Sequence, residues 1–260
     1  MRKAAAARAA ARGRAHHLTV SVRDGIAWLQ LDRPQAANRV TAELAQDLCK
    51  AAADIELDDS VAIVVVAASG PTFCAGVERG GEWEQAVNWV EAIARLTRPV
   101  VAIIQGDALA EGLELALACD LRLASDQAHF AMPQLAAGRL PSHGGTQRLP
   151  RIVGRMRALD LVFTGRTVGA AEAQAIGLVS PVIAHRELMR AADELLRELR
   201  SKGPLALRYA KEAVLKGSDL TLDQGIRLEE DLYALLQTTR DRQEGIRAFL
   251  GKRKPVFRGQ

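Results

Sequence analysis

Val61 to Ala67 is an unbroken run of valine, isoleucine and alanine. A strand with no polar side has no face to give to water, so it has to be covered on both faces. That is the condition of the inner strands of a parallel sheet packed between helices. The segments around it agree. Leu18 to Val22 and Ile26 to Leu31 alternate like paired strands across Asp24-Gly25, a hairpin signal. Thr41 is placed to cap a helix from Ala42 to about Leu57, with Glu43 in its first turn. A helix is expected from Glu84 to Leu96, stopped by Thr97-Arg98-Pro99, and then come a Val100 strand, a Glu111 helix and a strand from Leu121 to Ala124. Alternating strands and helices predict an α/β core with crossover helices.

After Gly144 the pattern changes. Leu178 to Ile183 is strand-like, and the remainder reads as helices at Met156–Phe163, Ala170–Ile176, Glu187–Lys202, Pro204–Lys216, Leu222–Thr238 and Asp241–Leu250. Such a region cannot bury its apolar stripes on itself alone, so it is expected to pack on the core and on neighbouring subunits. The 260 residues divide into a basic Ala/Arg-rich arm at 1–16, a core over 17–200 and a helical region over 201–260.

Charge and cysteine content narrow the function classes. The formal net charge is +4, but residues 1–15 hold five cations (Arg2, Lys3, Arg8, Arg12, Arg14) and no acid, which leaves the rest at −1. The basic character therefore belongs to the arm, which reads as a poorly ordered extension, with a transit peptide or a nucleic-acid-binding arm as alternatives. The expected location is cytoplasmic, or the mitochondrial matrix if residues 1–15 are a transit peptide. No apolar run approaches the roughly 20 residues of a membrane span. Cys49, Cys74 and Cys119 lack metal-ligand spacing and read as reduced core residues, so no metal is expected. No G-x-G-x-x-G follows a first strand, which argues against a dinucleotide-binding dehydrogenase.

Three segments carry a family likeness: Phe73-Cys74-Ala75-Gly76-Val77-Glu78, Gly106 to Asp120 (GDALAEGLELALACD) and Phe130 to Arg148 (FAMPQLAAGRLPSHGGTQR). They resemble the enoyl-CoA hydratase/isomerase, or crotonase, superfamily. Leu31-Asp32-Arg33-Pro34 and Glu244 to Arg253 extend the likeness from about Leu18 to Phe257. The resemblance implies an α/β crotonase-like spiral of ββα units with a helical C-terminal trimerisation region, assembled as a homotrimer or homohexamer. It implies an acyl-CoA thioester as the partner, coenzyme A entering only as part of the substrate, with no other cofactor. Neither a membrane nor a nucleic acid is an expected partner.

The same resemblance assigns roles. The backbone N–H groups of Val77 and Glu111 fall at the two halves of an oxyanion hole, which stabilises negative charge developing on a thioester oxygen. Glu111 stands where the family has a glycine, in Ala110-Glu111-Gly112. Its carboxylate is expected to point outward, where it would stabilise the helix start by roughly 0.3–1 kcal/mol. Glu114 aligns with a catalytic glutamate, and its apolar neighbours (Leu113, Leu115, Ala116, Leu117) should raise its pKa into the range of a general acid or base. Gln134 stands where hydratases carry a second glutamate. An amide orients a water but exchanges no proton. His143 replaces a small residue near the site wall and is a candidate for the missing proton transfer. Arg33, Ala36, Ala75 and Glu78 are expected along coenzyme A, with Phe249 and Lys252 reaching a neighbouring subunit's coenzyme A, and the Gly80 to Val90 segment, with Trp83 and Trp89, is expected to wall the acyl pocket.

The expected function is enoyl-CoA hydration or dehydration through a thioester enolate, with a modified acid/base set. The alternatives keep the fold and change the reaction to decarboxylation, C–C cleavage or thioester hydrolysis, or remove catalysis and leave a coenzyme A- or RNA-binding homologue.

Overall fold

The computed structural model describes residues 14–15, 17–79 and 88–260. The basic arm lies outside the described residues except for β1 (Arg14–Ala15), which pairs antiparallel with β2 (Leu18–Arg23). β2 turns through Asp24 and Gly25, both at positive φ (51° and 75°), into β3 (Ile26–Leu31), with Arg23 paired to Ile26. This is the two-residue turn whose twist matches a hairpin. The 3₁₀ turn Pro34–Ala36 and α1 (Ala42–Glu56) follow, and Thr41 Oγ1 accepts the Leu44 N–H at 3.2 Å as the expected cap.

The chain then makes repeated turns of the same kind. A strand in a large sheet is followed by a short strand in a small one. β4 (Ile63–Ala68) precedes β5 (Thr72–Cys74), and α2 (Trp89–Ala94) closes that turn. β6 (Val100–Ile104) precedes β7 (Asp107–Leu109), and α3 (Glu111–Ala118) closes the next. β8 (Leu121–Ser125) precedes β9 (His129–Ala131), which leads into the 3₁₀ turn Pro133–Ala137, α4 (Gly145–Val153) and α5 (Arg155–Thr164). β10 (Val168–Gly169), α6 (Ala170–Ala175) and β11 (Val182–Ile183) complete the sheets. The strand orders are β1-β2-β3-β4-β6-β8-β11 and β10-β9-β7-β5. From β3 to β11 the large sheet is parallel. This is the spiral of ββα units.

β4 behaves as its composition requires: Ile63, Val64, Val65 and Val66 are all fully buried. Val64 and Val66 face the main core with Leu44, Leu48 and Ile55 of α1 and Leu113 and Leu117 of α3. Ile63 and Val65 face the opposite side, where α7 (Leu188–Arg200) lays down Leu188, Ala192 and Leu196. Of the helix expected over Glu84–Leu96, the described part begins at Trp89, and residues 80–87 lie outside the described residues.

α8 (Pro204–Gly217), α9 (Leu222–Gln237) and α10 (Arg240–Leu250) end the chain. α8 contributes no buried residue, and α9 contributes only Leu232. Their attachment includes the Lys211 ammonium, 2.8 Å from Asp120 Oδ2 and donating to the Arg98 carbonyl at 2.9 Å. Asp120 also accepts the Val100 N–H at 2.7 Å, a structural role. Among the described residues no helix is long and apolar enough to cross a membrane.

Candidate active site

The site forms where β5 ends, α3 begins and the Gln134–Gly145 segment folds over both. Val40 N donates to the Gly76 carbonyl at 2.9 Å, and Glu78 N donates to the Val40 carbonyl at 2.8 Å. In such a parallel bridge the residue between the two bonded groups turns its own N–H the other way. Val77 therefore presents its N–H toward α3. Gly76, at φ +95°, makes the close approach feasible, since a Cβ there would lie 2.6 Å from Glu111 Oε2. Gly112 has a comparable constraint, because a Cβ on it would meet the Cys74 carbonyl oxygen at 2.0 Å. A bare helix turn is the only one that fits against β5.

The expectation for Glu111 is corrected here. Its side chain points inward: it is only 3% exposed, and its Oε2 accepts the Val77 N–H at 3.2 Å. Its Oε1 lies 3.5 Å from Arg139 Nη2. The physical reason is that the Val77 N–H and the Arg139 guanidinium both lie within reach of the helix start, and a carboxylate satisfies both.

Glu114 is fully buried one turn further along α3. Oε1 accepts two backbone N–H groups, from His143 and Gly145, each at 2.8 Å. Oε2 receives a long contact from Gln134 Nε2, at 3.4 Å. Burial raises the pKa to about 6 against the opposing pull of those N–H donors, and the Glu111 charge adds to the rise. The two oxygens are thus unequal, one fixed by the backbone and the other left for chemistry. Gly145 is required for this arrangement, since a Cβ would come within 2.9 Å of Glu114 Oε1.

Gln134 is buried beside Glu114, and its Oε1 has no hydrogen-bond partner among the described residues. A buried amide oxygen left this way is an acceptor aimed at whatever enters the site. The His143 ring packs against Trp89, with centroids 5.4 Å apart and planes at 56°. Burial lowers its pKa, so the imidazole is neutral at neutral pH. Its backbone holds Glu114 on one side and accepts from Arg148 Nη1 at 2.8 Å on the other. Arg148 Nη2 continues to Glu91 of α2 at 2.7 Å, which anchors the wall.

The residues expected along coenzyme A divide into two groups. Arg33 Nη1 donates to Glu78 Oε2 at 2.7 Å and to the Arg39 carbonyl at 2.8 Å. Ala75 N donates to the Ala37 carbonyl at 3.0 Å, next to Ala36. These four positions form one rim beside Val77. Phe249, 83% exposed, lies on α10, and the exposed Lys252 lies just after it. Trp89 is a buried wall residue, while Trp83 lies outside the described residues.

The sequence reading missed two residues. Arg139 is the cation beside Glu111. Its signal was a lone charge between Gln134 and His143 opposite an unexplained acid. Asn38 is fully buried at φ 52°, and its side chain bonds the Ser69 and Thr72 carbonyls and the Arg33 N–H. It fixes the loop that carries Ala36 to the start of β5. Cys74 and Cys119 are buried, with thiols pushed up to about 12 by that burial. Among the described residues no cluster of His, Cys, Asp or Glu could hold a metal ion.

Two stacked sheets wound in ββα turns, with a buried carboxylate at the start of an inner helix, define a crotonase-type fold. The sequence profile of the enoyl-CoA hydratase/isomerase family matches residues 21–260, and the chain belongs to that family. A Bacillus subtilis protein named for the same family is 40% identical over 246 residues, covering 90% of this chain and 95% of the relative. The mitochondrial methylglutaconyl-CoA hydratase of Rattus norvegicus is 36% identical over 263 residues, covering 95% of this chain and 83% of the relative. The crystal structure of an enoyl-CoA hydratase from Bacillus anthracis superposes with a TM-score of 0.90 at 33% identity, covering 94% of this chain and 100% of that one.

Proposed function

We propose that this enzyme hydrates an enoyl-CoA, and dehydrates the product in reverse, with Glu114 as its only proton-transferring group. The observation that carries this reading is the pair formed by Glu114, buried with a pKa of about 6, and the unpartnered Oε1 of Gln134 beside it. A base with a pKa near the working pH is ionised often enough to act and basic enough to take a proton.

In this reading the thioester oxygen sits against the Val77 and Glu111 N–H groups. A water is held by Glu114 Oε2 and Gln134 Oε1, each accepting one of its protons. As the water oxygen bonds to the β-carbon, Glu114 takes the proton on its side. The C=C pair shifts to the thioester oxygen as an enolate, which the two amides stabilise. The enolate then collapses, and its α-carbon takes that same proton from Glu114. One carboxylate carries the proton in both directions, and the amide only positions the water. His143 remains neutral and holds Glu114 through its backbone.

Arg33, Ala36, Ala75 and Glu78 form the coenzyme A rim. We place Phe249 and Lys252 at a neighbouring subunit's coenzyme A in a homotrimer or homohexamer. The exposed Leu222, Tyr233 and Phe249 of α9 and α10 support that assembly, because apolar surface of this extent calls for cover. A cytoplasmic location accompanies the reading.

The test is a panel of enoyl-CoAs incubated in isotopically labelled water, with Glu114→Gln as control. Label in a β-hydroxyacyl product, absent in the control, is the expected outcome. Label in released acid, loss of CO₂ or a shortened acyl chain would instead establish one of the other thioester reactions. Glu111 at the Val77 N–H is the observation that favours that second class.

A further inference from the structure

Glu111 poses a problem that the proposed reaction does not solve. Its Oε2 occupies the Val77 N–H at 3.2 Å, where an incoming thioester oxygen would have to bond. The carboxylate has to leave before substrate is polarised, and a buried carboxylate that leaves a donor needs another one. Arg139 is placed to supply it. Its Nη2 lies 3.5 Å from the other oxygen, Oε1, a loose contact that can shorten. The Arg139 side chain is one-third exposed while that of Glu111 is 4% exposed, so a move from Val77 toward Arg139 takes the carboxylate toward solvent.

We propose that Arg139 is a positioning residue that draws Glu111 off the Val77 N–H when a thioester binds, so that the glutamate works as a displaceable plug and not as a permanent block. This rests on the reading of Val77 as a thioester-oxygen donor. Three features support it. The carboxylate bridges two donors of different strength, a neutral amide and a cation. The cation is the more solvent-exposed of the pair. The helix-start position that would otherwise hold only an amide carries a side chain that reaches back over its own hole. Without Arg139, Glu111 would have to give up the amide for no ionic partner, and the plug would stay in.

A double-mutant cycle with butyryl-CoA, a saturated thioester that cannot be hydrated, tests this without relying on turnover. Affinity is measured by calorimetry and the bound C=O stretch by infrared spectroscopy for the wild type, Arg139→Leu, Arg139→Lys, Glu111→Gly and the Glu111→Gly/Arg139→Leu pair. Arg139→Leu should weaken binding about tenfold and abolish the carbonyl shift, as expected for a coupled ion pair. Arg139→Lys keeps the charge and should stay within about threefold of wild type. On the Glu111→Gly background, Arg139→Leu should change affinity by less than about twofold and leave the carbonyl shift intact. An equal loss on both backgrounds would overturn the proposal, since Arg139 would then act on the ligand or on the fold. No loss on either background would overturn it as well. If butyryl-CoA binds with no carbonyl shift in Glu111→Gly, where no plug exists, the thioester-site reading itself fails, which separates the two outcomes.

Discussion

Glu111 and Val77 lie on different turns of the spiral, yet the Glu111 carboxylate accepts the Val77 N–H at 3.2 Å. One donor of the proposed oxyanion pair is therefore taken by the chain itself, and any thioester must compete with a carboxylate for it. Glu111→Gly removes the competitor and keeps the backbone N–H at the helix start. Since a single such donor contributes about 10²–10³ in rate, the variant should raise kcat/KM for crotonyl-CoA hydration, by at least about tenfold. Initial rates at low substrate measure this. A fall would mean that Glu111 itself takes part in the chemistry.

Glu114 sets the pH dependence. The proposed reaction starts from the ionised carboxylate, so kcat/KM should rise with pH through an acid limb near the pKa of about 6 and level off above it. The Glu111 charge contributes to that raised value, so in Glu111→Gly the limb should move to lower pH. The same shift has a stability consequence. A folded pKa above the ordinary value of 4.5 means that the contribution of neutral Glu114 is present below 4.5 and is lost as pH rises through about 6. Urea denaturation across that window should show the wild type losing stability relative to Glu114→Gln, which has no proton to lose. Turnover in Glu114→Gln should fall by roughly 10²–10⁴. A limb that stays at the same pH in both Glu111 backgrounds would place the titrating group elsewhere.

Much of this site was legible in the sequence, for reasons specific to each residue. Glu114 stands out because Leu113, Leu115, Ala116 and Leu117 leave a carboxylate no solvent to point at, and it is fully buried as that pattern requires. β4 stands out because the unbroken apolar run around it tolerates no exposed face. The orientation of Glu111 was not legible. Periodicity locates the helix start, but which way its first side chain turns depends on Val77 and Arg139, 34 residues before and 28 after it. The small sheet was equally hidden, because β5, β7 and β9 are three residues each and carry no countable alternation. They become strands only when the spiral stacks them.

Ala110, just before α3, has φ 52° and ψ −123°, backbone that glycine adopts without strain and a Cβ makes costly. The Ala110 N–H donates to the Ala131 carbonyl at 2.9 Å and its own carbonyl accepts from Leu113 and Glu114, which hold it there. Ala110→Gly should relieve the strain and, after the added entropy of the unfolded glycine, stabilise the enzyme by up to about 1 kcal/mol. Urea denaturation measures the gain. A destabilised variant would show that the methyl group packs well enough to outweigh the strain.

Gln134→Glu tests whether the missing second carboxylate is the reason for a one-glutamate mechanism. The Gln134 amide donates to Glu114 Oε2 at 3.4 Å, so a carboxylate there sets acceptor against acceptor. The two acids would titrate as a pair, with at least one apparent pKa pushed up by like-charge repulsion. With Glu111 still inside, three carboxylates would share one buried space, and the single variant should gain little while its acid limb moves above 6. Glu111→Gly relieves that crowding and opens the Val77 N–H together. In that background the new carboxylate can take a proton from water while Glu114 delivers one to the α-carbon. The double variant should therefore exceed Glu111→Gly alone by a factor within the roughly 10²–10⁴ that one general acid or base supplies. Crotonyl-CoA hydration rates for the four proteins of this set decide it. A double variant no faster than Glu111→Gly would mean that water is not held between these two side chains, and the position of the nucleophile would have to be sought elsewhere in the pocket.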